Sequence, residues 1–385
     1  RDLLILLELL IMRLTLPQQD VYFEQLLYPN EPIYNIGAKI AIKGSINYEV
    51  LNNAYVALID QHDAYRTVIV SDMENTRLKV LTDHASQLEF IDFSKEEEAE
   101  PRANQYMENT FVRPFNLGSE KLLHQFTLIK VNDHFYYLFS VYHHIITDGW
   151  GTSLMFQRLV SNYNELLKDG EIKTEFPYTY KDFIIDDQHY QNSDVFISDK
   201  NYWIEKFQNL PEHLFDKIDE TSDTHKSSRK ELIIKRSLYN KLTDLAKEHR
   251  SSTFHIILGV LYLYFGRKHQ NENFAIGLPV LNRSKSDFKK TVGLFMGVNA
   301  LRMQLDIDST FEELIGSIRQ QLRQDYRHQR FPLGKLVQEL DLMNNKSRLF
   351  DITLSYEKQN YSDHFHNTDT KVIPLSHKSE RVALA

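Results

Sequence analysis

Hydrophobic residues recur with two different periods along the first half of the chain. Residues 36–43 (IGAKIAIK) alternate between apolar and polar, as a strand with one buried face does. Two apolar runs, 122–131 and 134–144, are separated by Asn132 and Asp133, which predicts a β-hairpin. The same reasoning predicts helices at 47–61 and 152–167 and strands at 66–70 and 77–81.

The second half shows a similar mixture, without a sequence repeat of fixed period. Predicted strands lie at 231–236, 273–280, 297–305 and 349–355, and predicted helices at 181–208, 237–248, 252–266, 309–327 and 333–340. A polar stretch at 168–180, with Gly170 and Pro177, separates the halves. The pattern therefore predicts an α/β protein with two related lobes.

The predicted boundaries are an N-terminal lobe at 14–178 and a C-terminal lobe at 179–385. Residues 1–13 (RDLLILLELLIMR) are expected to be an N-terminal helix or a linker remnant. Their apolar run is short and Glu8 interrupts it, so no membrane span is expected. The last residues (SERVALA) carry no stop signal, so the C-terminal lobe is expected to be truncated at its end.

Composition narrows the class of protein. Hydrophobic residues make up 42% and charged residues 25%, which is typical of a soluble globular protein. The net charge of −8 gives no basic surplus, so a nucleic-acid partner is not expected. The chain has no cysteine, which excludes disulfides, a cysteine nucleophile and thiolate metal sites, and fits a cytoplasmic location.

The most informative stretch is YHHIITDGWG (142–151), where the predicted hairpin ends. Neighbouring side chains of a strand point to opposite faces, so the two histidines are expected to differ in role and not to share a metal. His143 continues the apolar face and is expected to be buried and structural. His144 continues the more polar face and is expected at the open side of a cleft.

Asp148 and Gly149 allow two interpretations. In the first, they form a plain turn in which Asp148 caps the following helix. In the second, His144 accepts a proton while backbone N–H groups near Gly149 stabilise an oxyanion. The sequence contains no GxSxG, GxGxxG or P-loop motif, which disfavours serine hydrolases, dinucleotide enzymes and kinases.

Seven segments, in this order, resemble the motifs of the condensation domains of non-ribosomal peptide synthetases. They are LTLPQQDVYFEQLL (14–27), DQHDAYRTVI (60–69), YHHIITDGWG (142–151), YTYKDF (178–183), VGLFMGVNALRM (292–303), RHQRFPL (327–333) and NNKSRLFDITLSYE (344–357). The third, with its HHxxxDG pattern, is a close match, and the others are looser. Together they span most of the chain.

The resemblance implies two chloramphenicol-acetyltransferase-like lobes arranged as a V, with a tunnel between them. Donor and acceptor carrier domains would deliver substrates on phosphopantetheine arms from opposite ends. The acceptor's amine would attack the donor's thioester and form an amide. The domain itself would bind no cofactor, and an adenylation domain is expected beside it.

The resemblance also assigns roles to individual residues. His144 would be the general base or the group that positions the amine, and an imidazole suits proton transfer near neutral pH. His143 would support it, and Asp148 would pair with Arg66 to hold the loop. Gly149 would offer its N–H near the thioester oxygen.

Trp150 and Asn299 would line the tunnel. Two departures from the family pattern affect this region. Gly151 stands where Ser is common, and Met296-Gly297 stands where Phe-Val is common.

Several alternatives remain. Residues 28–37 (YPNEPIYNIG) resemble starter condensation domains, which attach a fatty acyl group, whereas other members use a peptidyl or aminoacyl donor. A non-catalytic module of the same fold that recruits a carrier or another partner would be expected to have a degraded HHxxxDG motif. A coenzyme A-dependent acyltransferase would use a soluble thioester. Epimerisation relatives usually carry a glutamate motif that this sequence lacks.

Overall fold

The computed structural model describes residues 11–71, 75–82, 86–215, 225–306, 308–343, 347–357 and 363–385. These residues form two compact units. Unit 1 comprises the described residues of Arg1–His189, Arg283–Phe295 and Lys358–Ser379. Unit 2 comprises the described residues of Tyr190–Asn282, Met296–Glu357 and Glu380–Ala385.

Both halves of the chain contain strands and helices. The first part contains β1 (Ile11–Arg13), α1 (Leu16–Leu27), β2 (Asn35–Lys43), α2 (Tyr48–Gln61), β3 (Thr67–Ser71), β4 (Thr76–Val80), β5 (Glu89–Asp92), α3 (Ala99–Phe111), β6 (His124–Asn132), β7 (Phe135–His143), α4 (Gly149–Asp169) and α5 (Tyr180–Gln191). The remainder contains α6 (Asp194–Lys206), α7 (Arg236–Glu248), α8 (Thr253–His269), β8 (Asn273–Val280), β9 (Gly297–Gln304), α9 (Phe311–Asp325), α10 (Leu333–Glu339), β10 (Ile352–Thr353) and β11 (Asp369–Pro374).

Unit 1 is built on a five-stranded sheet with the order β11-β2-β7-β6-β5. Its strands are antiparallel except for the parallel pair β5–β6. A smaller sheet has the order β1-β4-β3. In unit 2, β8 pairs with β9 in antiparallel and with β10 in parallel orientation. The mixed α/β class predicted from the sequence is confirmed.

The predicted hairpin is formed by β6 and β7, and its turn falls at Asp133 and His134, one residue later than expected. Every residue of β7 after Phe135 is buried, although the sequence suggested one polar face. Helix α3 covers one face of this sheet through Ala103 and Met107. Both faces are covered, and an apolar strand that is buried on both sides shows little alternation.

Four local predictions need correction. Residues 11–13 form strand β1 rather than a helix; the rest of the 1–13 segment lies outside the described residues. The predicted helix at 181–208 is two helices, because Ser193 caps α6 by accepting from the N–H of Phe196. The predicted strand at 349–355 is shorter in the structure, where only Ile352–Thr353 forms a strand, β10. Residues 231–234 are exposed and belong to no helix or strand, and the following helix α7 begins at Arg236.

The predicted lobe boundary is also wrong. Residues 179–189, 283–295 and the described part of 358–379 belong to unit 1, not to a C-terminal lobe at 179–385. The clearest case is β11, which pairs with β2 and forms an edge of the unit 1 sheet. Such pairing depends on backbone hydrogen bonds between distant segments, which a walk along the sequence does not reveal.

Candidate active site

The stretch YHHIITDGWG joins β7 to α4. β7 ends at His143, a short 3-10 turn covers His144–Ile146, and α4 begins at Gly149. Asp148 caps α4: its Oδ1 accepts from the N–H of Gly151 at 2.8 Å. The capping interpretation of the sequence therefore describes the turn, and it is compatible with a catalytic one.

His143 is fully buried, as predicted. Its Nδ1 accepts from the N–H of Ile145 at 3.1 Å, and its Nε2 lies 3.1 Å from Oε1 of Gln25. The Gln25 amide nitrogen donates to two backbone carbonyls, so its oxygen faces the ring and the imidazole proton belongs on Nε2. Burial, together with the neighbouring His144, lowers the pKa of His143 to about 3. This histidine is a neutral structural group.

His144 is half-buried and lies in the turn rather than in the strand. Its backbone N–H donates to the carbonyl of Tyr34 at 2.7 Å, and the Tyr34 ring stands edge-on to the imidazole with ring centres 6.3 Å apart. His377, in the segment that returns to unit 1, has a pKa lowered by burial and by the charge of His144. The two histidines of the motif are unequal, as predicted, but the reason differs from the prediction. His144 lies beyond the end of β7, so alternation along the strand does not apply to it.

Asp148 is fully buried, and the cation that pairs with it is Arg283. The Arg283 Nη2 donates to Oδ1 at 2.8 Å, and the N–H of Phe295 donates to Oδ2 at 3.1 Å. The N–H of Asp148 itself donates to the carbonyl of Gly293 at 3.3 Å. The carboxylate therefore fixes residues 283–295 to the start of α4.

Arg283 is buried as well. Its Nη1 donates to the carbonyl of Thr291 at 2.7 Å and to that of Phe288, and its guanidinium lies 4.0 Å from the centre of the Phe295 ring. Burial lowers its pKa, and the charge of Asp148 opposes that shift. A buried ion pair of this kind needs such additional hydrogen bonds to offset the cost of desolvation.

The expected pair between Asp148 and Arg66 is wrong. Arg66 donates to backbone carbonyls: Nε to Ile59 at 3.2 Å, Nη1 to Leu81 at 2.9 Å and Nη2 to Asp60 at 3.4 Å. It holds the end of α2 against the β3–β4 hairpin. The sequence indicated that a buried aspartate needs a cation, but it offered many arginines and no means of choosing Arg283.

Two further residues that the sequence analysis did not single out support this region. Gln25, in the first matched segment, sets the tautomer of His143. Tyr180, in the fourth, is buried, and its hydroxyl donates to the carbonyl of Leu294 and lies 3.2 Å from Oγ1 of Thr15. Both occur in segments that carried the resemblance, which was the available signal.

The predicted tunnel-lining residues lie in different units. Trp150 is 39% exposed, and its indole N–H donates to the carbonyl of Lys289 at 2.8 Å, within unit 1. Asn299 is a buried residue of β9 in unit 2. Whether they line a common tunnel stays a prediction.

The structure explains the glycine at 151. A β-carbon on Gly151 would lie 2.3 Å from Oγ1 of Thr147 and 3.3 Å from the backbone nitrogen of Gly293. The serine that is common in the resembled family would not fit here without a shift. Gly151 thus allows residues 283–295 to approach α4 closely.

The part of the chain that the structure describes has neither a cluster of metal-ligating side chains nor a membrane-spanning helix. It contains no group of three or more histidine, aspartate or glutamate side chains arranged to hold a metal ion. No helix among the described residues combines the length and hydropathy needed to cross a membrane.

The fold and this site can be compared with known proteins. Residues 10–380 match the family model of the condensation domain. The chain is 27% identical over 339 residues to the dimodular nonribosomal peptide synthase of Bacillus subtilis strain 168, covering 88% of this chain and 14% of that protein. It is also 27% identical over 360 residues to a plipastatin synthase polypeptide of the same strain, covering 92% and 14%. It thus spans about a seventh of the length of these relatives.

Solved structures share the fold. A variant of the starter condensation domain of rhizomide synthetase, in complex with C8-CoA, matches with a TM-score of 0.81 and 24% identity, over 96% of this chain and 84% of that one. The first condensation domain of the CDA synthetase matches with a TM-score of 0.79 and 17% identity, over 97% and 88%. The chain belongs to the condensation-domain family of non-ribosomal peptide synthetases.

Proposed function

We propose that this domain forms an amide bond between a carrier-bound acyl or peptidyl thioester and the amine of a carrier-bound aminoacyl acceptor. The new C–N bond forms as the C–S bond of the donor breaks. The proton lost by the amine passes to the imidazole of His144 and from there to the departing thiolate. The donor's arm leaves as a free thiol, so atoms and charge balance.

The observation that carries this proposal is that the two histidines differ in burial and in hydrogen bonding. Both ring nitrogens of His143 are within hydrogen-bond distance of protein groups, and the ring is fully buried. His144 is only partly buried, and it lies on a turn whose backbone is anchored to Tyr34. A general base, or a group that positions an amine, requires an anchored backbone and an imidazole that is not wholly enclosed.

The thioester oxygen needs a donor as negative charge develops on it. In this proposal the N–H of Gly149 supplies it, because the first N–H groups of a helix have no acceptor within the helix. Asp148 does not touch substrate. Its bonds to Arg283 and Phe295 hold the start of α4 in place.

We further propose that the substrates arrive on the phosphopantetheine arms of donor and acceptor carrier domains, that an adenylation domain adjoins this one, and that the domain works in the cytoplasm without a cofactor of its own. The two relatives are by name a dimodular peptide synthase and part of a larger synthase, which supports this view. A coenzyme A-dependent reaction is the second candidate, because the matching rhizomide synthetase domain was solved with C8-CoA.

The test is amide formation from two loaded carrier domains, with wild-type protein and His144→Ala. We expect the variant to lose at least a hundredfold in rate, the usual size of a general base contribution, with unchanged thermal unfolding. His134→Ala, at the exposed hairpin turn, is the matched control and should keep full activity. A wild-type rate for His144→Ala would rule out a catalytic role.

Varying the donor distinguishes the candidates. Carrier-bound octanoyl, carrier-bound aminoacyl and octanoyl-coenzyme A donors are each offered with the same loaded acceptor. Preference for a carrier-bound donor supports the main proposal, and the acyl group preferred identifies a starter or an elongating domain. Turnover with coenzyme A alone would favour the second candidate, and no turnover with any donor would favour a recruiting module.

A further inference from the structure

Unit 2 contains two asparagines whose buried amides are incompletely hydrogen-bonded. Asn299, on β9, is 6% exposed, and its Nδ2 has no hydrogen-bond partner among the described residues. Asn282 lies two residues beyond the end of β8, and its Oδ1 is likewise buried without a partner in that part of the chain. Most buried side-chain polar atoms of folded proteins are paired. Here one amide offers an unused donor and the other an unused acceptor.

A glycine brings the two amides to one face of β9. Gly297 pairs with Val280 and Asn299 with Leu278, and positions 297 and 299 share a face because side chains alternate along a strand. A β-carbon on Gly297 would lie 3.2 Å from Nδ2 of Asn282. The Asn282 amide therefore lies over Gly297, next to Asn299 on the same face.

The distance between the two asparagine side chains suits a secondary amide group. The Asn282 amide lies over Gly297, and Gly297 and Asn299 are two residues apart on a strand, a separation of about 7 Å. A secondary amide accepts at its oxygen and donates at its nitrogen on opposite sides, and with two hydrogen bonds of about 2.9 Å it spans a gap of this size. A carboxylate or a phosphate offers acceptors only, and would leave the Asn282 oxygen unpaired.

We propose that Asn282 and Asn299 form a subsite for a secondary amide of an extended ligand. Asn299 donates to the ligand's carbonyl oxygen, and Asn282 accepts from its N–H. The idea rests on the proposed function, which supplies two sources of such an amide: the pantetheine arm of a carrier, or the peptide bond of a peptidyl donor. Gly297 is then a specificity residue, because a larger side chain there would displace the Asn282 amide.

The test is direct binding of unreactive probes to the purified domain by titration calorimetry. One probe is the S-octyl thioether of pantetheine, with amides only in the arm. The second is a dipeptide joined through a thioether to an alkyl chain, with amides only on the acyl side. The third has matched length and ether oxygens in place of every amide.

The variant is Asn299→Leu, whose side chain branches at the same carbon as that of asparagine and lacks the buried donor. We expect its dissociation constant to rise about tenfold for one of the two amide probes, as expected for a lost hydrogen bond, and not for the ether probe. Gly297→Val should act in the same direction. Asn201→Ala, on the exposed surface of α6, should bind as wild type does. The midpoint temperature of thermal unfolding of Asn299→Leu should be equal to that of wild type or higher, because the variant lacks the unpaired buried amide.

The identity of the affected probe distinguishes the arm from the acyl chain, and either result supports the subsite. An equal loss for the ether probe, or no loss for any probe, overturns it. Binding is measured without turnover. A wild-type domain that binds an amide probe but makes no amide would therefore contradict the proposed function and leave the subsite standing.

Discussion

Asp148 occupies a position where a single carboxylate connects two distant stretches of sequence. Its oxygens bind the N–H of Gly151, the guanidinium of Arg283 and the N–H of Phe295. All these groups are buried or at a helix start, so the charge is compensated by fixed hydrogen bonds rather than by water. The residue holds the turn that carries His144 in position, and its loss should first lower the stability of the protein.

Removing the cation of this pair should be strongly destabilising. Arg283→Met leaves the Asp148 carboxylate buried without its partner, and we expect a loss of about 3–5 kcal/mol in the free energy of unfolding. Urea unfolding measures it. A double-mutant cycle with Asp148→Asn should give a large coupling energy with Arg283→Met and almost none with Arg66→Met. The reverse pattern would restore the pair expected from the sequence.

His143 should make the protein sensitive to acid. Its folded pKa of about 3 is below its ordinary value of about 6.5, so the unfolded chain takes up a proton that the folded protein refuses. The stability it contributes is therefore complete above about pH 6.5 and falls as the pH drops towards 3. His62, buried and with a pKa also lowered to about 3, acts in the same direction.

Between pH 7 and 4.5, each of these two histidines should remove roughly 2–3 kcal/mol of stability. Urea unfolding at several pH values across this range measures the slope of the free energy of unfolding against pH. In His143→Asn, the amide oxygen can still accept from the N–H of Ile145, so the protein should fold. The slope should decrease by the amount that corresponds to the uptake of about one proton on unfolding. His134→Asn, exposed at the hairpin turn, should leave the slope unchanged. An equal slope in wild type and His143→Asn would contradict this assignment.

At the scale of elements, the start of α4 is packed too closely for a side chain at position 151. Gly151→Ala would force a β-carbon to within 2.3 Å of Thr147 Oγ1. We expect a loss of about 1–3 kcal/mol, as for other overpacked positions. Thermal unfolding of the double variant with Thr147→Ala should show that part of this loss is relieved, since the clashing hydroxyl is gone.

Gly316 provides the matched control for this experiment. It lies within α9, and a β-carbon there would meet no atom within 4 Å. Gly316→Ala should therefore stabilise the protein by about 0.5–1 kcal/mol, because alanine favours helix. If both glycine substitutions behaved alike, close packing at Gly151 would not be the reason for the glycine.

At the scale of the whole molecule, a late segment of the chain completes the first unit. β11 adds a strand beside β2, and Phe365 is fully buried against the rings of Phe156 and Tyr163, with ring centres 6.3 and 5.3 Å away. Asn164 on α4 also hydrogen-bonds this segment at His364 and His366. The stability of unit 1 therefore depends on residues about 200 positions downstream of the helix they cover.

Phe365→Ala should cost about 3–5 kcal/mol, as is usual for a large aromatic cavity. The loss should appear in unit 1: hydrogen exchange of the amides of β2 and α4 should accelerate, while that of β8 and β9 stays as in wild type. Leu232→Ala, at a position that is 87% exposed, should leave the exchange rates of the amides in both units unchanged. Faster exchange confined to unit 2 would contradict the division of the chain described here.

The sequence by itself determined the α/β class, most helices and strands, the family and the burial of His143. These follow from local rules, namely side-chain alternation, helical spacing and motif order, which need only neighbouring residues. The tertiary structure alone decided that Arg283 rather than Arg66 neutralises Asp148, that residues 283–295 and the described part of 358–379 belong to the first unit, and that a β-carbon on Gly151 would clash with Thr147. Each of these depends on which distant segments come into contact, and contact between segments is set by packing and hydrogen bonding across the fold rather than by spacing along the chain.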